Sequence, residues 1–106
     1  MKKIYLFCSA GMSTSLLASN MQKLAEDHNL NVEVKAFSIA RIDEVYDKEH
    51  PNCILLGPQV GFAYEDIKEK YKKLNIPVGL IDSNDYGTLN GGNVLRLASN
   101  LLKKGA

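Results

Sequence analysis

The residues of this chain best suited to chemistry lie near its start, in the run Cys8-Ser9-Ala10-Gly11-Met12-Ser13-Thr14-Ser15. Cysteine is a nucleophile, and Cys8 opens a stretch of small and hydroxylated residues that ends where a helical pattern begins. The N–H groups at a helix start have no partner within the helix, and Gly11 permits tight curvature. With the hydroxyls of Ser9, Ser13, Thr14 and Ser15, these groups suit a doubly charged oxyanion. A helix N-terminus carries about +0.5 of a charge, which favours negative charge on the sulfur and on a phosphoryl group attached to it. Phosphoryl transfer needs mainly positioning and charge stabilisation, and a ring of backbone amides supplies both without a metal. A purely architectural reading stands beside this one: Cys8 ends a strand as a small apolar residue and the serines cap a helix.

Other reactive residues offer less. Cys53 begins an apolar run, where a buried, inert thiol is expected. Cys-x-x-Cys and His-x-x-x-His spacings are absent, and His28 and His50 stand apart in polar surroundings, so neither a structural metal nor another cofactor is expected. Gly91-Gly92 lacks the pattern of a nucleotide P-loop, Gly-x-Gly-x-x-Gly is missing, and Phe7-Cys8-Ser9 lacks the acidic residues of a phospho-acceptor receiver. Met12 is placed either at the rim, as an apolar contact for a partner, or folded back on the core. Tyr86, in a turn, reads as packing more than chemistry.

Positioning Cys8 requires a rigid frame, and the hydrophobic pattern describes one. Ile4–Phe7 is a continuous apolar run followed by the loop and by Leu17, Met21 and Leu24 at helical spacing. Val32–Phe37 alternates apolar and charged residues, as an edge strand does. Beyond Ser38, a candidate N-cap, Ile39, Ile42 and Tyr46 keep helical period until the polar stretch ending at Pro51. Cys53–Leu56 is a third strand, closed by Gly57-Pro58, and Val60, Ala63, Tyr64, Ile67, Tyr71 and Leu74 continue as a helix. Val78–Ile81 is a fourth strand, and Val94, Leu97, Ala98, Leu101 and Leu102 form the stripe of a last helix that closes at Lys103-Lys104-Gly105.

Strand and helix alternate throughout, which predicts an α/β fold: a single-domain open four-stranded parallel sheet with helices on both faces. The two most apolar strands belong in the centre, giving the order 2-1-3-4. Ligands of such sheets bind beyond the carboxyl ends where the order reverses, here between strands 1 and 3, at a rim formed by Cys8, Gly57-Pro58-Gln59 and Asp82-Ser83. A length of 106 residues suits one domain. With 13 basic and 12 acidic residues spread along the chain, there is no footprint for nucleic acid or an anionic membrane. The opening apolar run breaks at Cys8 before reaching signal-peptide length, and no run approaches the roughly 20 residues of a membrane span, so the chain is expected in the cytosol.

The string CSAGMSTS, Cys8 to Ser15, closely resembles the phosphocysteine loop of the lactose/cellobiose-type enzyme IIB components of the bacterial sugar phosphotransferase system. IYLFCSAGMSTSLL (Ile4 to Leu17), LLGPQ (Leu55 to Gln59) and ID-x-x-x-YG (Ile81 to Gly87) fall where that family has them, so residues 1–106 read as one such domain. The resemblance implies a phosphatase-like phosphate-binding loop. In it Cys8 takes a phosphoryl group from a phosphohistidine of enzyme IIA and passes it to a sugar held by membrane enzyme IIC, a disaccharide such as cellobiose, chitobiose or lactose. It implies a phosphate cradle of Ser9, Ala10, Gly11, Met12, Ser13, Thr14 and Ser15, with Gln59 and Asp82 shaping the loop or the partner surface. A monomer is expected, because Cys8 must face two partners in turn. The alternative is a low-molecular-weight cysteine phosphatase-like hydrolase, with an acid supplied by Asp82 or Asp85. Such enzymes read Cys-x-x-x-x-x-Arg, and the arginine position is occupied here by Thr14.

Overall fold

The computed structural model describes residues 1–9 and 12–105, the side chains of residues 12 and 13 excepted. Its strands are β1 (Lys2–Cys8), β2 (Val32–Ser38), β3 (Cys53–Leu56) and β4 (Val78–Leu80). The helices are α1 (Met12–Asp27), α2 (Ile42–Glu49), α3 (Tyr64–Lys72), α4 (Ser83–Gly87) and α5 (Gly91–Lys104). The strands form one parallel sheet in the order β2-β1-β3-β4, as the apolar runs predict.

β1 and β3 are central because both their faces are buried, and successive side chains feed two different cores. Ile4 and Leu6 of β1, with Cys53 and Leu55 of β3, meet Leu17 and Met21 of α1 and Val94, Leu95 and Ala98 of α5. The alternate residues Tyr5, Phe7, Ile54 and Leu56 meet Ile42 and Val45 of α2 and Tyr71 of α3. A one-residue slip of either strand would exchange the two sets, so the register is tightly specified. β2 lies at an edge and is buried only in part, with Val34 its one fully buried residue.

Three local features depart from the sequence pattern. The helix expected from Val60 to Leu74 is divided: Pro58–Ala63 forms 3-10 turns with a kink at Val60 (φ −113°, ψ 25°), and α3 follows only from Tyr64 to Lys72. Pro58 sits at the first position after Gly57, where a missing N–H costs nothing. Leu74 falls beyond α3 and is half exposed. Ser38 does act as a cap, accepting from Ala40 N, but of the 3-10 turn Ile39–Arg41 that precedes α2. Finally, the segment after β4 contains α4, a single short helix where a turn is expected.

The carboxyl ends of all four strands share one edge. Cys8 is in register with Ser38 of β2, and Gly57 N donates to Phe7 O at 2.9 Å, so the start of the segment after β3 lies directly beside Cys8. Ile81 N donates to Leu56 O at 2.9 Å, which carries β4 to the same rim.

Candidate functional site

Cys8 is the last residue of β1, and its side chain is 2% exposed. Across the connection to α1, Thr14 returns in the first turn of that helix with 1% exposure, the one buried polar residue among those described. Its hydroxyl donates to Cys8 Sγ at 2.6 Å. A second bond of 2.9 Å joins Thr14 Oγ1 to the hydroxyl of Tyr86 on α4. Thr14 has one hydroxyl hydrogen, so while it donates to sulfur the Tyr86 hydroxyl is the donor of the pair. The three residues form a chain, Tyr86 to Thr14 to Cys8, from one short helix to the end of the central strand.

Gly57 forms another wall. A Cβ at this position would stand 2.9 Å from Cys8 Cβ and 2.8 Å from Gln59 Oε1, so only a glycine lets the LLGPQ backbone approach this closely. The same contacts place Gln59 beside Cys8, as its position in the motif suggests. In front of the sulfur lies an open cleft of about 430 Å³, lined by Cys8, Thr14, Ser15, Leu16 and Ser19 and, from the β2 side, by Ala36, Phe37 and Ser38. None of these side chains is charged, and the lining hydroxyls suit the oxygens of a phosphoryl group.

The other candidate residues divide as follows. Ser9 is exposed beside Cys8, and Ser15 is exposed on the cleft wall. Ala10 and Gly11, and the side chains of Met12 and Ser13, lie outside the described residues. Asp82 reaches the rim as a structural residue: its Oδ2 accepts from Asn84 N at 2.9 Å and Asp85 N at 3.3 Å, capping α4. Asp85 Oδ1 accepts from Asn93 Nδ2 at 2.9 Å, tying α4 to α5. The chain has two arginines, and neither lines the cleft. Arg41 pairs with Glu44 and lies over the Phe37 ring, 5.6 Å from its centroid, and Arg96 belongs to α5.

Both cysteines are thiols rather than a disulfide. They differ in setting. Cys53 is fully buried, and removal from water pushes its thiol up to about 12, which disfavours the reactive thiolate. Among the described residues no group of three His, Cys, Asp or Glu side chains is placed to hold a metal ion, and no helix is long and apolar enough to cross a membrane. Tyr86 is the site residue that sequence reasoning undervalued. Its signal was its place in ID-x-x-x-YG, but a tyrosine after a strand gives no indication of where its hydroxyl will point.

Residues 3–97 match the family described as PTS system, lactose/cellobiose specific IIB subunit. The chain is 42% identical over 104 residues to the cellobiose-specific EIIB component of Lactococcus lactis subsp. lactis (strain IL1403), covering 95% of this chain and 96% of that protein. It is 41% identical, with the same coverage, to the galactose-specific EIIB component of Lactococcus lactis subsp. cremoris (strain MG1363). The solution structure of the cellobiose-specific phosphotransferase IIB component from Borrelia burgdorferi superposes with a TM-score of 0.78 at 39% identity, over 97% of this chain and 93% of that one. A more distant relative is the lactose-specific EIICB component of Streptococcus mutans serotype c (strain ATCC 700610 / UA159). It is 30% identical over 78% of this chain but only 14% of its own length, so the matched segment there is part of a far longer protein.

Proposed function

The chain belongs to the lactose/cellobiose-specific IIB family of the phosphotransferase system, and from that membership and the geometry at Cys8 we propose that it carries phosphoryl groups on the Cys8 sulfur between a IIA donor and a sugar held by a membrane IIC protein. The observation that supports this reading best is the Thr14 hydroxyl bonded to Cys8 Sγ at the floor of an uncharged, hydroxyl-lined cleft. In the first step the sulfur attacks the phosphorus of a IIA phosphohistidine, the N–P bond breaks as S–P forms, and the imidazole leaves with the N–P electron pair. In the second, a sugar hydroxyl attacks the same phosphorus, the S–P bond breaks, and Cys8 leaves as thiolate. The hydroxyl proton passes to a base on the IIC side, since the walls of the cleft offer no carboxylate. Residues 1–106 act as one such domain, with residues 9–15 as the cradle and Gln59 as part of the wall.

A carrier must hold phosphate without losing it to water. A cysteine phosphatase uses an arginine to clamp the phosphate and an acid to protonate the leaving group. Thr14 occupies the arginine position, and the two aspartates nearest in sequence to the rim accept hydrogen bonds within the fold. Relay is therefore favoured over hydrolysis. The sugar is of the cellobiose, chitobiose or lactose kind and is contacted by IIC. The existence of EIICB relatives agrees with a IIC partner, since fusion keeps the two parts of a relay at high effective concentration.

Incubation with a phosphorylated IIA protein is expected to add one phosphoryl group to the wild type and none to Cys8→Ser, measured by intact mass. Labelling that persists in Cys8→Ser would overturn the assignment. Steady turnover of an aryl phosphate, abolished in Cys8→Ala, would support hydrolysis instead.

A further inference from the structure

We propose that Tyr86 is a positioning residue for the Cys8 sulfur, acting through Thr14. The role presupposes the carrier function above, in which Cys8 is a nucleophile in one step and a leaving group in the next. Both steps place negative charge on sulfur, and the Thr14 hydroxyl is a donor aimed at it, 2.6 Å away. A lone hydroxyl is free to rotate and could equally donate elsewhere. The Tyr86 hydroxyl, 2.9 Å from Thr14 Oγ1, removes that freedom: by donating to the oxygen it leaves the threonine hydrogen for the sulfur. Hydrogen bonds in such a chain polarise one another, so the Thr14 bond is strengthened when the sulfur is anionic. Once sulfur bears phosphorus it is a poorer acceptor, and the donor regains its full value as the S–P bond breaks. The chain therefore assists departure of the sulfur more than it stabilises the phosphorylated state, as transition-state stabilisation requires.

The setting suits this role. Tyr86 is 8% exposed and packs in the core between α1 and α5. Asp82 and Asp85, the ionisable groups on its own side, are engaged by backbone and Asn93 N–H groups. The cleft walls from α1 and β2 present Ser15, Leu16, Ser19, Ala36, Phe37 and Ser38, none of them ionisable. Tyr86 thus stands in a surrounding where one hydroxyl can set the orientation of another.

The test uses the whole protein and follows iodoacetamide alkylation of Cys8 against pH in wild type, Tyr86→Phe, Thr14→Val, Thr14→Ser and the double variant Tyr86→Phe/Thr14→Val. Tyr86→Phe keeps the ring and loses the hydroxyl. Its profile is expected to move to higher pH, with the rate at pH 7 lower by roughly 3- to 10-fold. Thr14→Val, which loses this direct donor, is expected to fall by roughly 10-fold or more. Thr14→Ser restores the wild-type profile, and adding Tyr86→Phe to Thr14→Val changes nothing further. A profile unmoved by Tyr86→Phe, or a Tyr86→Phe effect undiminished in the Thr14→Val background, overturns the proposal. Alkylation needs no phosphoryl donor. If the profiles shift as stated while no IIA protein labels Cys8, the carrier reading fails, and what stands is that Tyr86 positions the Thr14 donor at the sulfur, without a part in phosphoryl relay.

Discussion

At the scale of single residues, the site depends on how closely a backbone can approach a sulfur. Gly57 is the clearest case. Its φ of −67° is open to any residue, so conformational freedom is not the reason for a glycine; the reason is the space taken by Cys8 Cβ and Gln59 Oε1. The Gln59 side chain can swing aside, whereas Cys8 Cβ is fixed by a central strand. Gly57→Ala is therefore expected to cost about 1–3 kcal/mol of stability, read by urea denaturation, and to slow labelling of Cys8 by displacing the sulfur. Full stability with full labelling would show that β1 yields more readily than its burial implies. The two cysteines make a second residue-scale contrast. Cys53 is expected to resist alkylation at neutral pH in the folded protein and to react only after denaturation, which mass spectrometry of the digested protein would check.

At the scale of elements, α4 connects the carboxyl end of β4 to the site. It spans only Ser83–Gly87, too short to persist without help, and the help comes from the Asp82 side chain at its N-terminus and from the Asp85–Asn93 bond to α5. Cap and tyrosine are therefore coupled, since loss of the cap loosens the helix that aims Tyr86. Asp82→Ala is expected to lower stability by about 1 kcal/mol and to slow Cys8 alkylation in the same direction as Tyr86→Phe, while Asp82→Asn keeps a capping oxygen and stays near wild type. Thermal unfolding beside the alkylation rate distinguishes the cases. Loss of phosphoryl transfer in Asp82→Asn with stability intact would mean that the carboxylate has a chemical role beyond the cap.

At the scale of the whole molecule, the same burial that builds the two cores sets the response to alkali. Cys53 has an ordinary value of 9.0 and is held at about 12 in the fold, mainly by desolvation. Tyr5 and Tyr71 are pushed above their ordinary value of 10.0, again first by burial and then by bonds to Glu33 and to Asp43 respectively. Above the unfolded values the unfolded chain gives up these protons while the folded chain retains them, so rising pH favours unfolding. Stability is expected to be complete below about pH 9 with respect to these groups and to fall progressively towards pH 12. In Cys53→Ala the decline should begin at higher pH, because the unfolded thiol titrates about a unit below the unfolded tyrosines. Urea denaturation at a series of pH values measures this, and an identical onset in both proteins would remove Cys53 from the account.

Much of this architecture was legible from sequence because it rests on periodicity and local chemistry. The continuous runs Ile4–Phe7 and Cys53–Leu56 were the best candidates for the central strands of a parallel sheet, the order 2-1-3-4 satisfied this, and it placed Cys8 at the switch point. The family could be read from CSAGMSTS and the motifs beyond it. The division of the segment after β3 into 3-10 turns and α3 was not legible, because Val60 serves the core under either arrangement and only the Pro58 entry and the approach of Gly57 to Cys8 select the kink. Nor was the role of Asp82, since the same carboxylate suits a cap or an acid until its partners are known. Sequence alone determined the fold and the family, which depend on residue types at fixed spacing, and it pointed to Cys8 as the candidate nucleophile. Only the tertiary structure decided that Tyr86, 72 positions from Thr14, closes a hydrogen-bonded chain onto Cys8. Hydroxyl-to-hydroxyl contact depends on packing to within a few tenths of an ångström, and no spacing in the sequence encodes that.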